Sequence, residues 1–234
     1  MSSKDAQNLY GQKMGQKGAR TRARLMQATA ALIEKRSIRD LKVTEITAFA
    51  GLSNATFYIY FDDVTDVVLA LALEVKQITP VIEELLAQPW APEDALRNAR
   101  VIVQAYLSFW DQHQAVLRLR NLAAEEGDKR FREARHQATL SMFNMICERI
   151  EASGFPVDSN SMATLMMTML ERIPAITRLP ATRSRPKLMD AAAFLLASLI
   201  APGSTSLLAE PKPAGRKRKP GDRASGPSSA EVAE

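Results

Sequence analysis

Cysteine is almost absent from this 234-residue chain. Cys147 stands alone, so no intrachain disulfide can form and a reducing compartment is expected. Ile146 and Ile150 beside it point to an inert, buried thiol, with a reactive thiol as the other reading. Histidine is nearly as scarce: His113 and His136 fall in separate predicted helices. No Cys or His pair stands at metal-ligand spacing and no glycine-rich phosphate loop occurs. No metal, cofactor or catalytic residue is therefore expected, and the chain is not read as an enzyme. The acidic cluster Glu125, Glu126 and Asp128 around Gly127 reads as a solvated helix end. Long apolar runs are missing as well. The N-terminus is polar where a signal peptide would be apolar. The longest apolar run toward the C-terminus, 191–201, is far shorter than the roughly 20 residues that span a bilayer. The expectation is a cytoplasmic protein with no membrane partner. Strand alternation and internal repeats are also lacking, which leaves an all-α fold.

What is present is a sizeable apolar fraction, 46%, beside an ordinary charged fraction of 24%. The net charge is +5 with an isoelectric point near 9.4, which permits nucleic-acid binding without establishing it. Its distribution is more informative. Residues 1–36 carry eight cationic side chains against two acidic ones, and residues 211–223 carry six against one, while 76–210 is balanced. Basic ends around a neutral middle suit a chain whose ends meet a polyanion.

Along the chain, 1–18 reads as a flexible basic arm. Leu25, Ala28, Leu32 and Ile33 share one face of a helix beginning near Ala19. Val43 to Ala50 forms a short helix stopped by Gly51, and Ser53 caps a second short helix that runs to Tyr60. A longer helix over 63–79 starts at Asp62 and Asp63, where the helix dipole favours negative charge. Pro80 kinks it or ends it. Helices follow over 93–112, 114–125, 129–153, 161–178 and 186–200, separated by Pro89–Pro92, Gly127, Gly154–Pro156 and Pro180–Pro186. The tail, 202–234, is rich in Pro, Gly, Ser and basic residues and reads as disordered, with Arg216–Lys219 serving either non-specific DNA affinity or solubility.

The informative stretch is 43–61. Two short helices joined at Gly51 cannot bury themselves and must pack on the helix before them through Ile46, Ala50, Leu52 and Phe57. The second then presents Asn54, Thr56, Tyr58 and Tyr60, polar or phenolic groups suited to base edges and phosphate oxygens in a major groove. The bland alternative makes Tyr58, Tyr60 and Phe61 ordinary core aromatics.

The run Ala50-Gly51-Leu52-Ser53, followed by Thr56-Phe57-Tyr58-Ile59-Tyr60-Phe61, resembles the Ala-Gly-Val-Ser and Thr-Leu-Tyr-x-Tyr-Phe pattern of the tetracycline-repressor (TetR) family. The resemblance covers roughly 19–75 and implies an N-terminal three-helix helix-turn-helix domain, 19–62, followed by a helical ligand-binding and dimerisation domain, 63–201. It implies that Asn54, Thr56 and Tyr58, behind the cap Ser53, face the bases of a double-stranded DNA operator. It implies phosphate contacts from Lys42, Thr44 and Tyr60. One departure stands out: where the family places a lysine at the start of its fourth helix, this chain has Val64 behind Asp62 and Asp63. The basic arm is the expected compensation, reaching a minor groove or the neighbouring backbone.

The resemblance further implies a homodimer, with the helices over 161–178 and 186–200 pairing as a four-helix bundle. The middle helices carry Tyr106, Phe109, Trp110, Met142, Phe143, Met145, Met166, Met167 and Met169, adaptable side chains that suit either an effector pocket or a filled core. Tyr106, Trp110, Met142, Phe143, Met166 and Leu170 are the candidate ligand-binding residues. Leu170-Glu171-Arg172 stands where family relatives have Asn-Glu-Arg, so an apolar residue replaces a polar anchor and a small apolar effector is expected. The function implied is a repressor released from its operator by that effector. The competing reading is a helical protein-interaction module with a degenerate helix-turn-helix, supported by Val64 and the acidic Asp62, Asp63 and Asp66.

Overall fold

The computed structural model describes residues 9–35, 37–75, 78–177, 184–201 and 203. The first eight residues of the expected arm, the loop at Pro180 and nearly all of the expected C-terminal tail lie outside the described residues. Every regular element in the described residues is helical: α1 (Gln16–Ile33), α2 (Val43–Ala50), α3 (Asn54–Phe57), α4 (Val64–Glu74), α5 (Pro80–Leu86), α6 (Pro92–Gln112), α7 (Gln114–Glu125), α8 (Lys129–Ala152), α9 (Ser159–Ile176) and α10 (Arg185–Ile200), with a 3₁₀ turn at Ile38–Asp40 before α2.

Local chemistry sets these boundaries. Ser53, Asp63, Asp128 and Asp158 each accept a backbone N–H in the first turn of the helix that follows. Such caps satisfy donors that a helix start leaves open. Gly51 closes α2 in the left-handed region at φ 63, a conformation that costs little only without a Cβ.

Two departures from the sequence reading fall at α1 and α4. Helix α1 begins at Gln16, inside the stretch read as an arm, and ahead of it Leu9 N–H donates to the Ile59 carbonyl at 3.1 Å. The helix expected over 63–79 stops at Glu74, because Val75 turns extended, with φ −87 and ψ 102. Pro80 then opens α5 at its first position, where a missing N–H costs nothing, and Thr79 before it is extended as a residue preceding proline must be.

Helix α1 carries α2 and α4; α4 in turn lies on α7 and α8. The head core of Leu25, Ile33, Ile46, Phe57, Phe61 and Val67 therefore continues into Val116 and Phe131 of the body. A second core joins α5, α6, α8, α9 and α10 through residues such as Ile102, Leu107, Ile146, Ala163 and Leu196. Each wholly buried Leu, Ile or Phe here contributes roughly 1.5–3 kcal/mol relative to exposure. The N-terminal helices are thus joined to the body by a shared apolar seam.

Candidate nucleic-acid interface

Helices α2 and α3 meet at Gly51. Ile46 and Phe57 are fully buried and Ala50 nearly so, while Leu52 is half-buried, so the underside packs on α1. Arg24 of α1 reinforces the joint by donating through Nη2 to the Ala50 carbonyl at 2.5 Å. Across the joint, the Thr47 hydroxyl donates to Asn54 Oδ1 at 2.6 Å, which fixes the first residue of α3 relative to α2. The exposed Asn54 side chain still carries two amide N–H donors beyond that bond.

Helix α3 is shorter than expected. It spans Asn54–Phe57 and continues through Tyr60 as tight turns, with Tyr60 N–H bonded to the Phe57 carbonyl at 2.9 Å. Ser53 accepts Thr56 N–H at 3.2 Å, and the Ser53 and Thr56 hydroxyls lie 2.9 Å apart. Thr56 is therefore half-buried and engaged with its own cap. Asn54 is exposed, and Tyr58 is 49% exposed with its ring edge-on to Phe57. The half-buried Tyr60 turns toward the first turn of α1, where its hydroxyl approaches Gly18. A Cβ at Gly18 would lie 3.4 Å from that hydroxyl, an ordinary contact.

Lys42, Thr44, Asn54 and Tyr58 line one shallow surface depression, together with Asp62, Asp63 and Val64. Four of the seven expected DNA-facing residues are thus brought together. Ser53 and Thr56 lie beside them as a bonded pair, and Tyr60 packs behind. The acidic edge has structural work. Asp63 caps α4 by accepting Asp66 N–H at 2.8 Å. Asp66 accepts from Arg130 of α8 at 3.3 Å, and Arg130 also binds Asp128 at 2.9 Å. Its hydrogen bond from Arg130 holds the Asp128 carboxyl below the usual carboxylate range.

The six candidate ligand residues have a different placement. Tyr106, Met142 and Leu170 are fully buried, Trp110 and Met166 nearly so, and Phe143 is half-buried against them, all within the core of the body. Trp110 among them borders a cavity. That cavity, about 690 Å³, is walled by α7, α8 and α9 and reaches Ser37–Arg39 of the loop before α2.

Behind its wall lies a group the sequence reading did not single out. The Arg120 side chain is wholly buried. Its Nε donates to Asn121, but neither terminal nitrogen has a hydrogen-bond partner among the described residues. The nearest carboxylate is Glu171, 3.9 Å away and 9% exposed, whose other oxygen accepts from Arg135. Burial pulls the Arg120 guanidinium below its ordinary value while Glu171 opposes the shift. Tyr106 adjoins the cluster, accepting from Trp110 Nε1 at 3.2 Å. Burial, with Glu171 adding to it, pushes the Tyr106 phenol up, so it stays an O–H donor. The signal was present in the sequence: Arg120 occupies the same helical face as Val116, Leu117 and Ala124.

Elsewhere, Cys147 is buried and its thiol is pushed up by burial, which favours the inert reading. His113 sits at the α6–α7 junction against Phe109, and His136 is exposed on α8. Among the described residues no helix is long and apolar enough to cross a membrane, and no His, Cys, Asp and Glu group could hold a metal.

Residues 82–179 match the family described as the tetracyclin repressor-like C-terminal domain. An uncharacterised helix-turn-helix transcriptional regulator of Bacillus subtilis (strain 168), YdgC, is 27% identical over 108 residues, 45% of this chain and 55% of its own length. The chain thus aligns with only about half of that curated relative. Among solved structures, a TetR-family regulator of Mesorhizobium loti MAFF303099 superposes with a TM-score of 0.60 at 20% identity, covering 79% of this chain and 97% of its own. One from Streptomyces coelicolor gives 0.58 at 18%, covering 82% and 85%. The fatty acid degradation regulator FadR of Bacillus halodurans gives 0.56 at 15%, covering 80% and 97%. These likenesses establish the all-α fold, a helix-turn-helix head on a helical C-terminal body. The chain thus resembles the tetracycline-repressor-like (TetR) family in its fold, and over 82–179 in its sequence.

Proposed function

We propose that this protein is a homodimeric transcription regulator that grips a double-stranded DNA operator through α2 and α3 and releases it when a small effector occupies the body. Repression is the mode that such release implies. The observation that carries the reading is the shared depression in which Lys42, Thr44, Asn54 and Tyr58 stand together, on a head fixed by Arg24, Thr47 and the buried Phe57. Asn54 and Tyr58 are the base-facing candidates, Thr56 and Ser53 shape the turn, and Lys42 and Thr44 at the start of α2 are placed for phosphates. Tyr60 contributes by positioning α1, not by free contact. The relatives named above, transcription regulators by description, agree with this reading.

The dimer reading draws on α9 and α10, which leave Leu165, Phe194 and Leu195 exposed at 63%, 40% and 46%. Such side chains on neighbouring helices suit a second copy. The effector reading draws on the cavity beside Trp110. Since Tyr106, Met142, Phe143, Met166 and Leu170 are packed in the core, the effector's body is placed against Trp110, the remaining expected residue, with Leu119, Leu122 and Pro174. A cytoplasmic site of action follows from the partner being DNA.

The test is binding to the promoter DNA beside the protein's own gene, by fluorescence anisotropy and footprinting. A two-fold-related footprint is expected, with affinity falling steeply as salt rises. Asn54→Ala and Tyr58→Ala should each cost about 1–3 kcal/mol at that site while sparing non-specific binding. Equal affinity of the wild type for operator and scrambled DNA would overturn the reading.

A further inference from the structure

The geometry points to an anion site at the cavity between α7, α8 and α9, which takes a small monoanionic acid: its charged end enters the Arg120–Arg135 pair in competition with Glu171, and its apolar body lies along Trp110, Leu122 and Pro174. The charge count carries the argument. Two guanidinium groups, one wholly buried and the other partly, share a single carboxylate. Arg135 is about a third exposed and keeps contact with solvent, but Arg120 is a wholly buried charge whose one carboxylate is shared, and a buried charge without a full counter-ion is disfavoured. The hydrogen-bond count agrees. Among the described residues, Arg120 leaves both terminal nitrogens unfilled, and Glu171 Oε1 has no donor within bonding distance. An arginine fork presents paired donors matched to a carboxylate. Glu171 meets Arg120 only at 3.9 Å, too long for a hydrogen bond, so a mobile anion can do what the protein's own carboxylate does not.

The cavity supplies the room. Glu171 and Arg135 line it, and so do Leu119 and Asn121, the neighbours of Arg120 on α7. Tyr106, kept as an O–H donor and already accepting from Trp110, stands against the same cluster. A neutral apolar ligand would leave the Arg120 charge uncompensated; a dianion would exceed it.

The site also borders the segment that leads from the body into the helix-turn-helix. Ser37, Ile38 and Arg39 on its rim belong to the loop that leads into α2, and Arg39 reaches Glu126 at 3.4 Å. A bound acid would touch the head and body at once and bias their relative pose, which is how an effector can oppose DNA. This consequence rests on the regulator reading; the anion site does not.

The experiment is isothermal titration calorimetry on the full chain with three acids, octanoate, phenylacetate and 2-naphthoate, each paired with its neutral primary amide. At least one acid should bind ten-fold or more tightly than its amide. Glu171→Gln removes the competing carboxylate and should tighten that acid several-fold, while Arg120→Met should erase the preference of acid over amide. Should every acid match its amide, or none bind, the proposal is overturned. It is equally overturned if Glu171→Gln leaves the acid's affinity unchanged, a result that stands even if Arg120→Met fails to fold. Calorimetry needs no DNA, so it decides the anion site whichever way the operator experiment falls.

Discussion

At Gly51 the backbone sits at φ 63, and a Cβ placed there would lie 3.3 Å from Arg24 Nη2. The arginine tip can move; the left-handed backbone cannot. Gly51→Ala should therefore lower stability by about 1 kcal/mol through backbone strain, seen as a melting-point drop of roughly 2–4 °C for a chain of this size. An unchanged melting point would mean that the turn relaxes. Asp158 makes a second single-residue case. It accepts Ser161 N–H at 2.7 Å, and its hydrogen bonds with Ser161 hold its carboxyl below the ordinary range. A depressed folded value means that the cap's contribution is present above the unfolded carboxyl value, about 3.9, and is lost as pH falls through the folded value. Asp158→Asn should flatten the acid limb of a melting-temperature profile. If the wild type and the variant lose stability in parallel below pH 4, the cap is not titrating.

Among the helices, legibility followed the punctuation. Helix α7 has the limits read from the sequence, and α6 and α8 lie within one residue of them, because Pro92, His113–Gln114 and Gly127 interrupt strong apolar stripes. Helix α5 was missed because Pro80 reads equally as an end and as a first-turn residue, and only the extended Val75 decides between them. The helix-turn-helix was legible in type and register, since Ala50-Gly51-Leu52-Ser53 fixes the turn and the cap together. Its ionic setting was not, because Arg130 reaches Asp66 across 64 residues. This bridge predicts a split outcome. An exposed ion pair adds at most about 1 kcal/mol to stability, so Arg130→Ala should scarcely move the melting point. The same change strips the counter-charge from the acidic edge beside Asn54 and Tyr58, and operator affinity should fall several-fold at low salt, the deficit shrinking as salt rises. Loss of stability without loss of affinity would assign Arg130 to the fold alone. The apolar pocket residues were the least legible element of the body, since a methionine or aromatic at helical spacing looks the same whether the space before it is empty or filled. A buried arginine breaks that degeneracy by its cost, which makes Arg120, behind the cavity's wall, a more telling residue than Met142.

At the scale of the whole molecule, the cavity and the dimer face are one problem. Helix α9 turns Ala163, Met166, Leu170 and Ile173 inward, while Thr164, Leu165, Thr168, Arg172 and Ala175 remain exposed. Three of that outer set, Thr168, Arg172 and Ala175, also line the cavity. A second copy seated on α9 and α10 would therefore border the mouth and exclude water from it, and water exclusion strengthens the attraction between a bound anion and Arg120. Leu165→Glu with Leu195→Glu places two charges where the copies would meet. Light scattering should report a monomer with helical content intact, since both side chains are exposed in the single chain. That monomer should bind operator far more weakly, because two heads about 34–36 Å apart read successive major grooves together and one head alone does not. It should also bind the acid several-fold more weakly than the dimer, although every residue of the anion cluster is untouched. A monomeric variant with undiminished acid affinity would mean that the pocket is complete within one chain, and that any opposition between effector and DNA passes through Ser37–Arg39 and α4 alone.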